Sequence, residues 1–220
     1  MRKTKRSKRI RIALSVLLAA FILIAVYFIF FNNPGQPVDQ AFIERYRNDV
    51  DDWWGQICYA SDDIVIFYDA FALIVYDLNE MQITGAVDLK EIGMNYRQGS
   101  LASNIHASSD GNIVIFEKIF VEIPKVVECY RYVYHTKINK VERVNSFDDF
   151  NIDLFEYTYE FDLEIMNKLG EWINTYPSSE FVKIDEKYIY TRRDTIFDGD
   201  NNNLEIVIRT PDEVQVISVF

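Results

Sequence analysis

From Ile12 to Phe31 the chain runs for 20 residues without a charge. It then passes through a turn-rich linker and one amphipathic stretch into a long series of short apolar segments. At about 1.5 Å of rise per residue, the first run matches the roughly 30 Å hydrocarbon core of a bilayer. The pattern predicts a transmembrane helix over 12–31, in which every backbone amide is satisfied internally, as lipid demands. Seven basic residues (Arg2, Lys3, Lys5, Arg6, Lys8, Arg9 and Arg11) precede it and no acidic residue does. The positive-inside rule then keeps residues 1–11 cytoplasmic and puts everything after Phe31 outside. A cleaved signal peptide is the competing reading, but its apolar region is shorter and ends in small side chains. Here the run ends in "VYFIFFNN", which favours an uncleaved signal anchor, and no Cys follows it to carry a lipid.

The linker, residues 32–38, contains "NNPGQP". Residues 39–56 then place Phe42, Ile43, Tyr46, Val50, Trp53 and Trp54 at helical spacing, with Asp39 as N-cap. This predicts a membrane-proximal helix whose apolar stripe packs on its own domain. From Ser61 to Phe220 the pattern changes to strand-length runs rich in β-branched and aromatic residues, separated by turn formers.

Two of these runs are alike. "SDDIVIF" at Ser61 returns as "SDGNIVIF" at Ser109, which sets Ile64 over Ile113 and Ile66 over Ile115. "VYDLNEMQITGAV" further aligns with "VYHTKINKVERV", setting Tyr76 over Tyr134, Ile83 over Val141 and Ala86 over Val144. Nine extra residues around "IFVEIPKVV" separate the two alignments, and a weaker third copy runs from "IDEKYIYTRR" through "LEIVIRTPDEVQVISV". Each copy reads as three strands joined by two turns. The expected fold is mainly β, with antiparallel blade-like meander repeats, propeller-like but incomplete. Closed rings usually take 4–8 blades of about 40–45 residues, whereas the stretch after Ser61 supplies about three and is interrupted within them. "FNIDLFEYTYEFDLEIMNKLGEWI", from Phe150 to Ile173, interrupts the pattern and reads as a strand followed by a short helix.

The stretch "DDIVIFYDAFALIVYDLNEMQITGAVDLKEIGMNYRQGS…SSDGNIVIF" resembles a group of Firmicutes extracytoplasmic β-propeller-like domains. Its members join an "F-x-L-x-VYDL" strand to an "xDLKxIGxNxxQG" segment and an "S-x-DG" turn. Some follow BlaR-type membrane metallopeptidases and others stand behind one transmembrane helix. The resemblance covers about Asp63 to Phe116 and implies a β-rich sensory or binding ectodomain, with no catalytic residues to carry over. A cysteine pair often flanks the "QG" in that group; Met94 and Ser103 stand there in this chain.

Charge narrows the function classes. The chain has 23 basic and 34 acidic residues, so the part after Phe31 carries 16 against 34. Phosphate backbones need Lys and Arg patches, so nucleic acid is excluded as a partner. Cys58 and Cys129 are too few for a disulfide framework; they read as small buried hydrophobes, with one bridge between them chemically permitted outside the cell. His106 and His135 form no H-E-x-x-H pair, and neither a G-x-S-x-G elbow nor a glycine-rich phosphate loop is present. Asp198, Asp200 and Asn202 alternate as calcium ligands do. However, the twelfth position of that loop is Arg209 and the sixth is Asn203, so a polar hairpin loop is the favoured reading and no cofactor is expected.

The expectation is therefore a single-pass, membrane-anchored extracytoplasmic binding or sensory domain without catalytic activity. Its partners would be the bilayer, through residues 12–31, and an envelope protein or ligand that the sequence does not identify. A structural subunit of a cell-envelope complex is the alternative, and a hydrolase with an unrecognised site the second. Aromatic rings give large contact area at low entropic cost, so Trp53, Trp54, Tyr96 and Tyr130 are the candidate recognition residues, provided they are exposed.

Overall fold

The computed structural model describes residues 35–49, 56–95, 104–122, 125–155, 181–194 and 203–220. The chain divides into two compact units, Met1–Gly35 and Gln36–Phe220, and every described element belongs to the second. Among the described residues no helix is long and apolar enough to cross a membrane. The predicted span over 12–31 lies outside them.

Helix α1 covers Gln40–Asp49, within the predicted 39–56, of which residues 50–55 lie outside the described residues. Asp39 caps it, its Oδ1 accepting from the backbone N–H of Ala41 (2.9 Å) and Phe42 (3.2 Å). Phe42 and Tyr46 are buried and Ile43 packs beside them, so the first turns of the predicted stripe do face the domain. Gln56, the last residue of the predicted helix, belongs instead to a strand, "QICYA", in which the next four residues are all buried.

Among the described residues twelve strands form three antiparallel meanders of four strands each. Sheet 1 contains β1 (Gln56–Ala60), β2 (Ile64–Tyr68), β3 (Ala72–Asp77) and β4 (Gln82–Asp88). Sheet 2 contains β5 (Asn104–Ala107), β6 (Ile113–Glu122), β7 (Lys125–His135) and β8 (Lys140–Val144). Sheet 3 contains β9 (Val182–Ile184), β10 (Lys187–Asp194), β11 (Asn203–Arg209) and β12 (Val214–Ser218).

The repeat is structural, with a register that can be checked pair by pair. Val65 faces Tyr76 as Val114 faces Tyr134, and Tyr76 faces Ile83 as Tyr134 faces Val141. Even the turn backbone repeats, since Met81 (φ 53) and Asn139 (φ 47) hold equivalent left-handed positions. Three details differ from the sequence alignment. Each unit has four strands rather than three, because β1 precedes the stretch in which the strand pattern begins and the four residues of β5 are too few to show a period. The serine equivalent to Ser61 is Ser108, not Ser109: Ser61 Oγ accepts from Ile64 N–H at 3.1 Å, and Ser108 Oγ from Ile113 N–H at 3.0 Å. Ala86 matches Arg143, not Val144, because a bulge beside Val75 and Tyr76 takes up one residue of β4. The nine-residue insertion lengthens the β6–β7 hairpin, which pairs continuously from Ile113–His135 to Glu122–Lys125 apart from one bulge.

The three sheets stack in a row with sheet 1 in the middle. One face of sheet 1 (Val65, Phe67, Ile74 and Tyr76) packs on Ile189, Leu204, Ile206 and Ile217 of sheet 3. Its other face (Ile66, Leu73, Val75 and Val87) packs on Ile105, Val114, Phe116 and Tyr134 of sheet 2. Alternate strand residues share a face, so equivalent positions fall on equivalent faces. The junction of sheets 1 and 2 therefore joins the Ile66-type face of one to the Val65-type face of the other. Among the described residues the sheets form no closed ring. Ile113 and Ile115 occupy the positions of Ile64 and Ile66, but on the face of sheet 2 turned away from sheet 1, where they are only partly buried.

Candidate functional site

The turns β1–β2 and β3–β4 lie at one rim of sheet 1, an outcome fixed by the meander topology. Their tightness is local chemistry. Ser61 Oγ accepts from Asp63 and Ile64, and Asp77 Oδ1 accepts from Asn79 and Glu80, both at 2.8 Å. These are the side-chain-to-backbone bonds that make Ser and Asp turn formers. Sheet 3 brings its β11–β12 turn to the same rim, closed by Glu213 N–H donating to Thr210 Oγ1 at 3.0 Å.

Between these turns lies a cavity of about 290 Å³. Its floor is aliphatic, made by Leu78, Ile189, Ile208 and Ile217. Its mouth carries Ser61, Asp62, Asn79, Lys187, Thr210, Glu213 and Gln215. Lys187 Nζ is paired with the Asp62 carboxylate across the gap between the sheets, and Asn79 Nδ2 donates to Asp63 at 3.0 Å. The Glu213 carboxylate and the Gln215 amide are hydrogen-bonded to no described residue. No histidine or cysteine lines the cavity. What the arrangement can do is hold a small molecule by its apolar body and hydrogen-bond its head.

The rim has a second feature. Asn139, in the turn joining β7 to β8, accepts at Oδ1 from Tyr134 Oη (2.8 Å) and Ala86 N–H (3.2 Å). Its Nδ2 donates to the carbonyls of Gln36 (3.0 Å) and Pro37 (3.3 Å), while Gln36 N–H donates to Ile138. One side chain thus joins sheets 1 and 2 to the segment where the chain enters the domain. Burial raises the Tyr134 phenol well above its ordinary range, keeping it a neutral donor.

The residues expected from sequence are spread out. Trp53, Trp54 and Tyr96 lie outside the described residues, as do Asp198, Asp200 and Asn202. Tyr130 is half-buried on β7, with the Arg143 guanidinium 4.9 Å from its ring centroid. The exposed large apolar side chains among the described residues are Met81, Leu154, Val214 and Val216, all aliphatic. Among the described residues no three His, Cys, Asp or Glu side chains are grouped to hold a metal ion. His106 is exposed on β5, and His135 bonds Glu142 at 3.0 Å, which with Lys140 holds that carboxyl below its ordinary range.

Cys58 and Cys129 are not joined. Cys58 is fully buried between sheets 1 and 2, where desolvation raises its thiol far out of the reactive range. Cys129 sits on the other face of sheet 2, 3.7 Å from Glu117, and desolvation raises its thiol too. A thiol reagent is expected to label Cys129 slowly in the folded chain and Cys58 only after denaturation. Absence of titratable thiols in denaturant without reductant would show a bridge instead.

Lys118 went unnoticed in the sequence. It is 2% exposed, and its Nζ donates to the carbonyls of Gly93 (2.9 Å) and Asn95 (3.3 Å), while desolvation lowers its pKa. Its position two residues after Phe116, on the same strand face, was the available signal. Met94, where the resembling group has a cysteine, is 1% exposed and belongs to the core between sheets 1 and 2.

Comparison with protein-family models, curated proteins and solved structures gives no match.

Proposed function

We propose that the chain is a single-pass, membrane-anchored extracytoplasmic binding domain. Its ligand site is the cleft between sheets 1 and 3, and its ligand has a short aliphatic body and a hydrogen-bond-donating, cationic head. The cavity carries the reading. Four aliphatic residues floor it, and its mouth holds a carboxylate and an amide with no described partner. Asp62 already neutralises Lys187, so Glu213 leaves the mouth acidic, in a domain whose net charge is acidic as well. Concave, largely apolar sites with a few placed polar groups are the usual form of small-molecule sites. The charged N-terminal tail and the 20-residue apolar run support the anchor, and the resemblance to extracytoplasmic sensory domains supports the class.

The test uses the full chain in detergent, with n-pentylamine, n-pentanol and n-pentanoate as probes. Pentylamine is expected to raise the unfolding temperature at millimolar concentration, pentanol less, and pentanoate not at all. Glu213→Gln is expected to weaken pentylamine binding about tenfold, the loss of one charge-assisted hydrogen bond. Equal response to all three probes, or no effect of Glu213→Gln, would remove the site. Topology is checked separately: an impermeant protease added to protoplasts should digest residues beyond 35 and spare the basic tail. A protected C-terminal domain would overturn the anchor orientation.

A further inference from the structure

An unpaired strand edge presents free amide and carbonyl groups to any other strand, so edges are normally guarded by charge, bulges, shortness or a cover. Five of the six edge strands here are guarded. On sheet 1, β1 has a register break between Ile57 and Tyr59, and β4 is bulged, with its Ala86 N–H taken by Asn139. On sheet 2, β5 is covered by residues 153–155, with Phe155 N–H donating to Ala107 and Ser109 N–H to Asp153. The other edge, β8, has Lys140, Glu142 and Arg143 among its five residues. On sheet 3, β9 has three residues, one of them Lys183.

The sixth, β12, has none of these devices among the described residues. "VQVIS" holds no charge, proline, glycine or bulge, and four of its five residues are exposed. Val214 is 46% and Val216 44% exposed, side by side on the outer face. Val216 also continues an apolar row across sheet 3, since Tyr190 faces Val207 and Val207 faces Val216.

We infer that β12 is a dimerisation edge, and that its partner is β12 of a second copy, paired antiparallel about a two-fold axis through Val216. The strand is self-complementary in that register. Val216 meets its own copy, Val214 meets Ser218, and Gln215 meets Ile217, so no charge enters the pair. The apolar row doubles across an eight-stranded sheet. The acidic residues before the strand, Asp212 and Glu213, stay at opposite ends of the pair. The two Glu213 positions lie six strand residues apart, about 20 Å at roughly 3.4 Å per residue, beyond the ~8–10 Å screening length of ordinary buffers. A basic partner strand would gain nothing from the uncharged edge itself, whereas a second copy matches it residue for residue.

Sedimentation equilibrium of the full chain in detergent tests this, with Val216→Lys as the variant and Met81→Lys, at an exposed apolar side chain away from β12, as control. The wild type and Met81→Lys are expected to dimerise with rising concentration, more tightly at higher salt because the two domains carry like charge. Val216→Lys is expected to raise the dimer Kd at least tenfold with its unfolding temperature unchanged, since the side chain it replaces is already half in solvent. A wild type that stays monomeric up to ~100 µM at ~0.5 M salt, where the Debye length is only a few ångströms, would overturn the inference. So would a dimer unaffected by Val216→Lys, which must use another surface. A monomer that instead captures an extended peptide along β12 would keep the edge and overturn the second copy as its occupant.

Discussion

Gly111→Ala is expected to destabilise the domain by about 2–5 kcal/mol, far more than the same change at Gly93. Both glycines have a left-handed backbone, with φ of 67° and 71° respectively, so both substitutions meet the roughly 1–2 kcal/mol penalty of that region. Their surroundings differ. A Cβ on Gly93 would meet nothing within 4 Å, whereas one on Gly111 would lie 2.5 Å, 2.8 Å and 2.9 Å from three ring atoms of Tyr59. An aromatic ring cannot bend out of the way, and Tyr59 is held on its other side by Phe155, 5.0 Å between centroids. Gly111 is fixed as well, its N–H donating to Ser108 and its carbonyl accepting from Thr136 Oγ1 at 2.8 Å. Overpacking a rigid core site adds about 1–3 kcal/mol to the backbone cost.

Thermal unfolding of the full chain in detergent reads the difference. About 2–4 °C is lost per kcal/mol in a domain of this size, so Gly93→Ala should shift the midpoint by a few degrees and Gly111→Ala by several times that. Combining Gly111→Ala with Tyr59→Ala separates the causes, because the steric part disappears with the ring and the backbone part remains. Equal midpoints for the two glycine variants would mean that the β5–β6 turn does not rest on Tyr59.

That contact also marks where the sequence was readable and where it was not. The likeness of "IVIF" in the two copies and of the "VYD" and "VYH" strands located β2, β3, β6 and β7, because short runs of β-branched and aromatic residues bounded by turn formers read as strands even when both faces are apolar. In β2 both faces are buried, Val65, Ile66 and Phe67 each being under 2% exposed. The same pattern did not show which sheet meets which, since Ile66 and Ile115 look alike in sequence. Ile66 is buried between two sheets and Ile115 lies on an outer face, a difference made by neighbours distant in the chain. Strand β1 was not read as a strand: all but Gln56 of it falls between the predicted helix and the β pattern that begins at Ser61, and Ile57, Cys58 and Tyr59 are all buried, a short apolar run that a helix or a strand could equally hold.

The candidate site was legible only in its parts. Asp62, Asn79, Thr210 and Glu213 are ordinary turn residues, and nothing local says that turns more than 120 residues apart share a rim. The cavity exists because sheet 3 packs on sheet 1, and the copies in between give no sign of that order. Asn139 is a clearer case. Its left-handed backbone could be suspected from a turn Asn, but its bonds reach residues 102 and 103 positions away as well as its neighbours. Tyr134 and Tyr76 are equivalent by repeat, yet only the turn beside Tyr134 has an Asn at its left-handed position; the other turn has Met81 there, exposed to solvent.

Asp69→Ala is expected to have the other large effect, about 3–5 kcal/mol, by undoing a turn and a helix contact together. Asp69 is 5% exposed in the turn between β2 and β3. Its Oδ1 accepts from Phe71 N–H (2.7 Å) and Ala72 N–H (2.8 Å), and its Oδ2 accepts from Tyr46 Oη on α1 (2.5 Å). Tyr46 is 4% and Ala72 0% exposed, so neither donor can turn to water when the carboxylate is removed. Each buried group left without its partner costs about 1–3 kcal/mol, and bonds to an ionised acceptor lie toward the upper end. The other polar tie of the helix, Arg45 to Asp88 at 2.6 Å, has an arginine side chain 57% exposed and contributes little. Tyr46→Phe alone should therefore lose about 1–3 kcal/mol, and Asp69→Asn less than Asp69→Ala, because the amide oxygen can still serve the two N–H groups. Adding Tyr46→Phe to Asp69→Ala should cost clearly less than it does in the wild type, since the partner is already gone. Unfolding midpoints of the four variants measure this. Strict additivity of Tyr46→Phe and Asp69→Ala would mean that the helix is not tied to the turn through this bond, and that apolar packing of Phe42 and Tyr46 alone holds α1 against the sheets.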